Sequence, residues 1–400
     1  MPWIISTTLT IFVPLVLVYW YVGRKLSKAL TRLFQFNPAR VRALIIVVAL
    51  LVNLLPPVFL GSFLTWGRSG TIAFSGENRI IDLLLVYPFW IALVIVVQLF
   101  LIFVVIDLLR LALYPVYRRT RDSWTEWKSR IVVVALMLVT IYSLIAVYLD
   151  TWTIRTRVET IPIPESAQAL RGLRIAHISD IQRDGRTTAA KLSECMRIVN
   201  ELKPDIVFFA GDLITSGEKY ITSSAQAFSE LKAPLGVYAA VGDHDIFSNK
   251  RMVVQSLTEN GVHVIEDSTV SILVNGERVS ITGITYTYRQ KPNGDSLYIL
   301  TNGHDSAFKI LVVHQPARSL VPIAAESEYD LVLAGHTHGG GIAFGFPSLF
   351  LVAPASFETP YVSGLFKVKS TYINVTNGVG FTLAPIRFHA PAEISLLIFE

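Results

Sequence analysis

The hydrophobic pattern of the chain changes period near residue 152. Before that point, long apolar runs alternate with polar loops; after it, the apolar stretches are short and end in clusters of Asp, His and Gly. The long runs lie at about Ile4 to Val22, Ala43 to Phe63, Leu83 to Val105 and Ile131 to Tyr148. Each is close to the ~20 residues that cross a hydrocarbon core as helix. The pattern predicts four transmembrane spans in residues 1–152. A cleaved signal peptide does not fit the first run, which lacks a basic leader and a small-residue cleavage site.

Residues 153–400 read as an α/β domain. Leu173 to Ile178, Ile206 to Ala210 and Gly236 to Val241 are apolar enough to be buried strands, and each runs into a polar turn followed by a helical stretch. Further along, Val270 to Val274 and Val279 to Ile284 flank Asn275-Gly276, a two-residue hairpin signal. Ile310 to Val313 delivers His314, and Leu331 to Ala334 delivers Gly335, His336, Thr337 and His338. The expected architecture is two packed mixed β-sheets flanked by helices, with the site at the carboxyl ends of the strands.

Composition agrees with this partition. The 400 residues are 52% hydrophobic with a mean hydropathy of +0.50, too apolar for a wholly soluble protein. The first 150 residues hold 14 of the 35 Lys and Arg but only 6 of the 30 Asp and Glu. The remainder is slightly acidic, so no basic face that would track nucleic-acid phosphates is indicated. Lys and Arg concentrate between runs one and two and between runs three and four. By the positive-inside bias those loops face the cytoplasm, which puts both termini and the α/β domain outside it. All seven Trp precede residue 153, six of them near run ends, where indole prefers the headgroup layer. Only Asn53 and Gln98 interrupt the apolar runs, so a transport pathway is not indicated. One cysteine, Cys195, excludes an intrachain disulfide.

The chemistry-bearing residues share one position in the pattern: a strand end. Asp180, Asp212, His314, His336 and His338 are oxygen and imidazole donors spread over about 160 residues, and their convergence would make a metal site. A strand-end Asp alone is more often a turn former. His177, His263, His304 and His389 are read as structural or solvated, and Arg387 as either a phosphate ligand or an ion-pair partner.

The ordered set Asp180-Ile181-Gln182, Gly211-Asp212, Gly242-Asp243-His244-Asp245, His314 and Gly335-His336-Thr337-His338 resembles the boxes of the calcineurin-like metallophosphoesterase superfamily. The C-terminal segment from Tyr361 through Asn377-Gly378 to Ile394 is similar to its membrane-associated branch of YkuE-like and transmembrane phosphoesterases. The resemblance covers Leu173 to the end of the chain. It implies a two-metal phosphoesterase in which Asp180, Gln182, Asp212 and His338 hold one divalent ion and Asp212, Asp243, His314 and His336 a second. His244 would be the acid for the leaving alkoxide, and Asp245 would orient its ring. The ions would be Mn, Mg, Fe or Zn; Gln182 in place of the usual His favours Mn, because an amide oxygen is a harder donor than imidazole. Asp243, in place of the usual Asn, adds negative charge beside the phosphate. The implied substrate is a phosphomonoester, phosphodiester or pyrophosphate; tethering to a bilayer, expected to be a bacterial inner membrane, raises lipid or envelope esters. The competing reading is a metal-binding membrane sensor or scaffold with little turnover, to which Gln182 and Asp243 lend weight and the His244-Asp245 pair does not.

Overall fold

The computed structural model describes residues 3–71, 74–114, 121–288, 290–291, 306–346, 350–381 and 383–400; His304 lies outside them. The chain divides into two compact units, Met1–Tyr148 and Leu149–Glu400.

The first unit is helical: α1 (Trp3–Phe34), α2 (Pro38–Val52), α3 (Leu55–Thr71), α4 (Arg79–Ala112) and α5 (Arg121–Trp152), whose last turn belongs to the second unit. Asn37 caps α2, its Oδ1 accepting from the Ala39 and Arg40 amides, with Pro38 in the first turn. Gly23 lets α2 come close, because a Cβ there would sit 3.0 Å from Ile45 Cγ2. Among the described residues, two helices are long and apolar enough to cross a membrane, Arg79–Ala112 and Trp124–Trp152. A third span exists if α2 and α3, bent by 43°, act as one.

This differs from the four uniform spans implied by hydropathy. The expected run Ala43 to Phe63 is broken at Asn53-Leu54, ahead of Pro56 and Pro57, which cannot extend the hydrogen-bond ladder of the preceding helix. The expected first run falls inside α1, whose early side chains lie in part outside the described residues and whose second half carries Arg24, Lys25, Lys28 and Arg32.

The second unit contains two six-stranded mixed sheets. One has the order β1 (Arg155–Ile161), β14 (Glu393–Phe399), β2 (Arg174–Ile178), β3 (Ile206–Phe209), β4 (Val237–Ala239), β5 (Val262–Val264). The other runs β12 (Gly364–Val368), β13 (Thr371–Val375), β9 (Leu331–Ala334), β8 (Phe308–Val313), β7 (Glu277–Ile284), β6 (Ser268–Val274). A hairpin, β10 (Phe344–Phe346) with β11 (Phe350–Val352), stands apart from both sheets. Strand alternation sorts the core into three layers. Ile175, Phe208, Ile281, Ile310 and Leu333 fill the space between the sheets. Ala176, Ile178, Val207 and Phe209 face outward onto helices α6 (Ala189–Glu201), α7 (Ile221–Ala227) and α8 (Asp243–Glu259), through Leu192, Ile221 and Val253. Leu311 and Val332 pack on α9 (Leu320–Glu326) through Leu320 and Val321. The β6–β7 turn places Asn275 at φ 50 and Gly276 at φ 88, the left-handed pair that a two-residue hairpin needs.

β2, β3 and β4 run parallel to one another, as do β7, β8 and β9. Their carboxyl ends therefore lie on common edges, and the expected site residues follow those ends.

His177 on β2 is fully buried; its Nδ1 accepts from Asn374 Nδ2 at 2.7 Å, while Asn374 Oδ1 accepts from Arg157 at 2.9 Å. Burial, with the Arg157 charge, pushes the ring down to about 3. The folded state thus holds His177 neutral where the unfolded chain would bind a proton, so stability is complete above pH 6.5 and lost as pH falls toward 3. Urea unfolding between these limits should show a loss on the order of 4 kcal/mol attributable to this group. His177→Leu should flatten that part of the profile, with a lower baseline because Asn374 Nδ2 loses its acceptor.

Candidate metal centre

The site is assembled from five loops that follow β2, β3, β4, β8 and β9. Four of its side chains are essentially inaccessible: Asp180 0%, Gln182 0%, Asp212 1% and His314 0% exposed. Five candidate ligands adopt left-handed backbone: Asp180 (φ 50), Gln182 (φ 48), Asp212 (φ 63), His336 (φ 70) and His338 (φ 51). Such strain in non-glycine residues is stable only when the surroundings enforce it, and here it turns the side chains back over the strand ends. Two glycines make room. A Cβ on Gly242 would lie 2.1 Å from Asp212 Oδ1, and one on Gly335 would lie 2.3 Å from Asp180 Oδ2.

Two groups of donors lie close enough to share an ion: Asp243, His314 and His336, and Asp180, Asp212 and His314, with all atoms of each group within 4.8 Å of one another. His314 Nε2 is central, 3.2 Å from Asp212 Oδ2 and 3.0 Å from Asp243 Oδ1, and its Nδ1 is 2.7 Å from the Ala210 carbonyl. His336 Nδ1 faces Asp243 Oδ1 at 3.3 Å, and His338 Nε2 faces Asp180 Oδ1 at 3.3 Å. Gln182 turns its amide nitrogen to Asp212 Oδ2 at 2.6 Å, which leaves Oε1 with no hydrogen bond. All seven residues of the expected ligand set meet in one place, although the geometry groups His314, not His338, with both Asp180 and Asp212.

The electrostatics follow from burying carboxylates and imidazoles together. Burial alone would lower His314, yet the carboxylates of Asp212, Asp243 and Asp180 hold it well above the usual imidazole range. His336 behaves alike and rises to about 9 through Asp243 and Glu358. Asp243 is held far below the usual carboxylate range by His314 and His336 despite its burial. Asp180 is pushed up, first by burial. His338 falls well below its ordinary value through burial and the nearby Arg387 charge, so it stands neutral.

His244 Nδ1 lies 2.6 Å from the Thr215 carbonyl, to which it can only donate, so Nε2 is the nitrogen left to exchange a proton with a substrate. Thr215 therefore sets the ring, and the orienting role expected of Asp245 does not appear. Asp245 instead accepts three backbone amides, Gly242 at 3.0 Å and Asp212 at 2.9 Å on Oδ2 and Leu213 at 2.9 Å on Oδ1. A side chain at the first turn of α8 is committed to the loop beneath it, because that loop's amides have no other partner there. Burial and the Asp212 charge push Asp245 up to about 7, against those three donors.

Arg387, expected as a phosphate ligand or an ion-pair partner, directs its guanidinium to the backbone. It is 1% exposed and donates to five backbone carbonyls, those of His338, Asn377, Gly378, Gly380 and Ala390. It clamps the His338 loop to the Asn377-Gly378 turn from below. Two other residues carry no sequence signal at all. Tyr288 donates to Glu358 Oε2 at 2.7 Å, and its hydroxyl is 3.0 Å from His336 Nε2, with Glu358 Oε1 3.3 Å from the same nitrogen. Both sit in loops with no motif, and only the fold brings them to the outer nitrogen of His336.

Comparison with known proteins bears on this geometry. Residues 173–340 match the family model for calcineurin-like phosphoesterase. A Bacillus subtilis protein described as uncharacterized metallophosphoesterase YkuE is 30% identical over 257 residues, 63% of this chain and 88% of that protein. An uncharacterized metallophosphoesterase of Aquifex aeolicus is 29% identical over 262 residues, 63% of this chain and 94% of its own length. The transmembrane protein with metallophosphoesterase domain of Danio rerio is 29% identical over 251 residues, 60% of this chain, and this chain spans only 56% of it. With its strand-end donors in the order the family requires, the chain belongs to the calcineurin-like metallophosphoesterases, hydrolases of phosphate esters.

Proposed function

We propose that this chain is a membrane-anchored phosphoesterase, residues 1–152 forming the anchor and 153–400 the hydrolase domain. Asp180, Gln182, Asp212 and His338 would hold one divalent cation; Asp212, Asp243, His314 and His336 would hold the second. The observation that carries this reading is that Asp180 Oδ1, Gln182 Oε1, Asp243 Oδ1 and His338 Nε2 are buried and make no hydrogen bond of good geometry, although His314 Nε2 stands 3.0 Å from Asp243 Oδ1 and His338 Nε2 3.3 Å from Asp180 Oδ1. Orphaned buried polar atoms are costly and rare. Four of them within one cluster, all oxygen or imidazole nitrogen, fit a pair of hard or borderline cations. Such cations supply Lewis-acid charge to the phosphoryl oxygens and make water more acidic.

The protein's own part is to place and protonate. His244, fixed by Thr215, presents Nε2 to the leaving oxygen and gives it a proton. Asp243 adds a carboxylate on the substrate side, which disfavours a phosphomonoester dianion relative to a diester monoanion. Gln182 offers an oxygen where imidazole would suit zinc, which favours Mn. The anchor is read from the apolar helices and from the transmembrane relative. The basic loops orient it with the hydrolase domain outside the cytoplasm, as in a bacterial inner membrane, where esters of lipids or envelope polymers are within reach.

Three outcomes are expected for the full chain in detergent. His244→Ala should lower kcat on an aryl phosphodiester by about 10²–10⁴-fold with bound Mn unchanged; full metal content with no turnover in the unaltered protein would favour a scaffold instead. Calorimetric titration with Mn in buffers of different ionisation enthalpy should show release of about two protons at pH 7, because His314 and His336 are held protonated by the carboxylates and must give up those protons to ligate. The affinity should accordingly rise with pH up to about 9, the value to which His336 is raised. Asp243→Asn should weaken metal binding and shift the ratio of monoester to diester turnover toward the monoester; an unchanged ratio would remove the charge argument.

A further inference from the structure

The helical unit contains two adjoining cavities that the hydrolase reading does not use. The larger, about 1020 Å³, lies along α1 and α2. Its size is at the upper end of the ~300–1,000 Å³ usual for small-molecule sites. The second, about 730 Å³, lies between α1, α4 and α5. Trp20, Arg24, Lys28, Thr125 and Ser129 border both.

Charge is distributed unevenly within them. In the smaller cavity Asp107 is saturated: Lys25 and Lys128 both pair with it, the latter at 2.9 Å, and Tyr21 donates to it at 2.8 Å. The larger cavity is lined by Arg24, Lys28, Arg32 and Arg42 and by no acidic residue. Among the described residues, none of these four cations has a carboxylate within ion-pair distance. The opposite end of the same cavity is apolar, formed by Phe12, Val16, Ile46, Ala49 and Leu50. From Phe12 to Arg32 the lining follows α1 for about 30 Å, at 1.5 Å per residue. That is longer than the ~15 Å hydrocarbon depth of one leaflet. Outside it, α2 turns an apolar surface to its surroundings, with Leu44 64%, Val48 50% and Leu51 56% exposed.

We propose that this cavity is a binding site for an anionic phospholipid, its headgroup phosphate held among Arg24, Lys28, Arg32 and Arg42 and its acyl chains laid along the apolar end. Four unpaired cations around one cavity repel each other unless an anion joins them, and only a ligand that is anionic at one end and apolar over the rest satisfies both ends. Trp20, 62% exposed with the Arg24 guanidinium 5.6 Å from its ring, stands where the polar and apolar linings meet, the level an indole takes in a bilayer. The site lies within the helical unit and shares no residue with the phosphoesterase centre. It rests on the membrane reading of that unit.

Native mass spectrometry of the full chain in detergent, with dioleoyl phosphatidylglycerol and dioleoyl phosphatidylcholine added at equal concentration, tests the proposal. Retention of phosphatidylglycerol should exceed that of phosphatidylcholine by about tenfold or more. Arg24→Gln/Lys28→Gln and Arg32→Gln/Arg42→Gln should each bring the two lipids toward parity, in protein that keeps its circular dichroism and its phosphoesterase activity. Millimolar glycerol phosphate should not displace the lipid; displacement would show a site for soluble phosphates and overturn the acyl-chain assignment. Equal retention of both lipids by the unaltered protein, or unchanged selectivity in both variants, would overturn the site. Alkaline carbonate treatment of membranes separates this result from the anchor reading: a chain released by carbonate refutes the anchor, while a chain that stays embedded and shows no lipid preference refutes the lipid site alone.

Discussion

Burying several carboxylates at one point is the constraint on which the hydrolase domain depends. Asp180, Asp212, Asp243 and Asp245 are all withdrawn from water, and each would be expensive there without compensation. The fold compensates in two ways. Asp245 and one oxygen of Asp212 take backbone amides, and Asp180 Oδ2 takes the His336 amide at 2.9 Å. The remaining oxygens turn toward imidazoles, toward the Gln182 amide or toward no protein donor. The left-handed backbone at five candidate ligands and the absent Cβ at Gly242 and Gly335 are what this concentration of charge demands of the chain.

Much of this was legible in the linear sequence because parallel strands expose their ends together. Short apolar runs that stop at Asp, Gly or His mark such ends, and Leu331–Ala334 is a strand with the limits its hydrophobic run suggests. Asn275-Gly276 gave its hairpin for the same reason, a local backbone requirement. Other features are not local. β1, Arg-Thr-Arg-Val-Glu-Thr-Ile, has too many charges to read as a strand, and becomes one by pairing with β14, where Arg157 meets Glu393 at 3.0 Å. Thr215, Tyr288 and Glu358 contribute through where the chain passes, not through any pattern around them. The ring-orienting role that the resemblance implies for Asp245 differs from its contacts, because a helix's first turn sends neighbouring side chains in different directions and its carboxylate takes three backbone amides.

The helical unit shows the opposite failing. Hydropathy counts apolar residues without regard to proline, so it merged what Asn53-Leu54 and the following Pro56-Pro57 divide. It also scores a run by its mean, which conceals the gradient along α1 from Phe12 to Arg32. That gradient, and not the average, shapes the cavity against α2.

The three amides held by Asp245 have an evolutionary corollary. Gly242, Asp212 and Leu213 belong to two loops that precede different helices, and a single carboxylate stitches them into one piece. Neither loop can drift alone: a substitution that shifts one moves Asp212 and the neighbouring Asp243 at once. Divergent members of such a lineage should therefore change these two segments in concert or keep both.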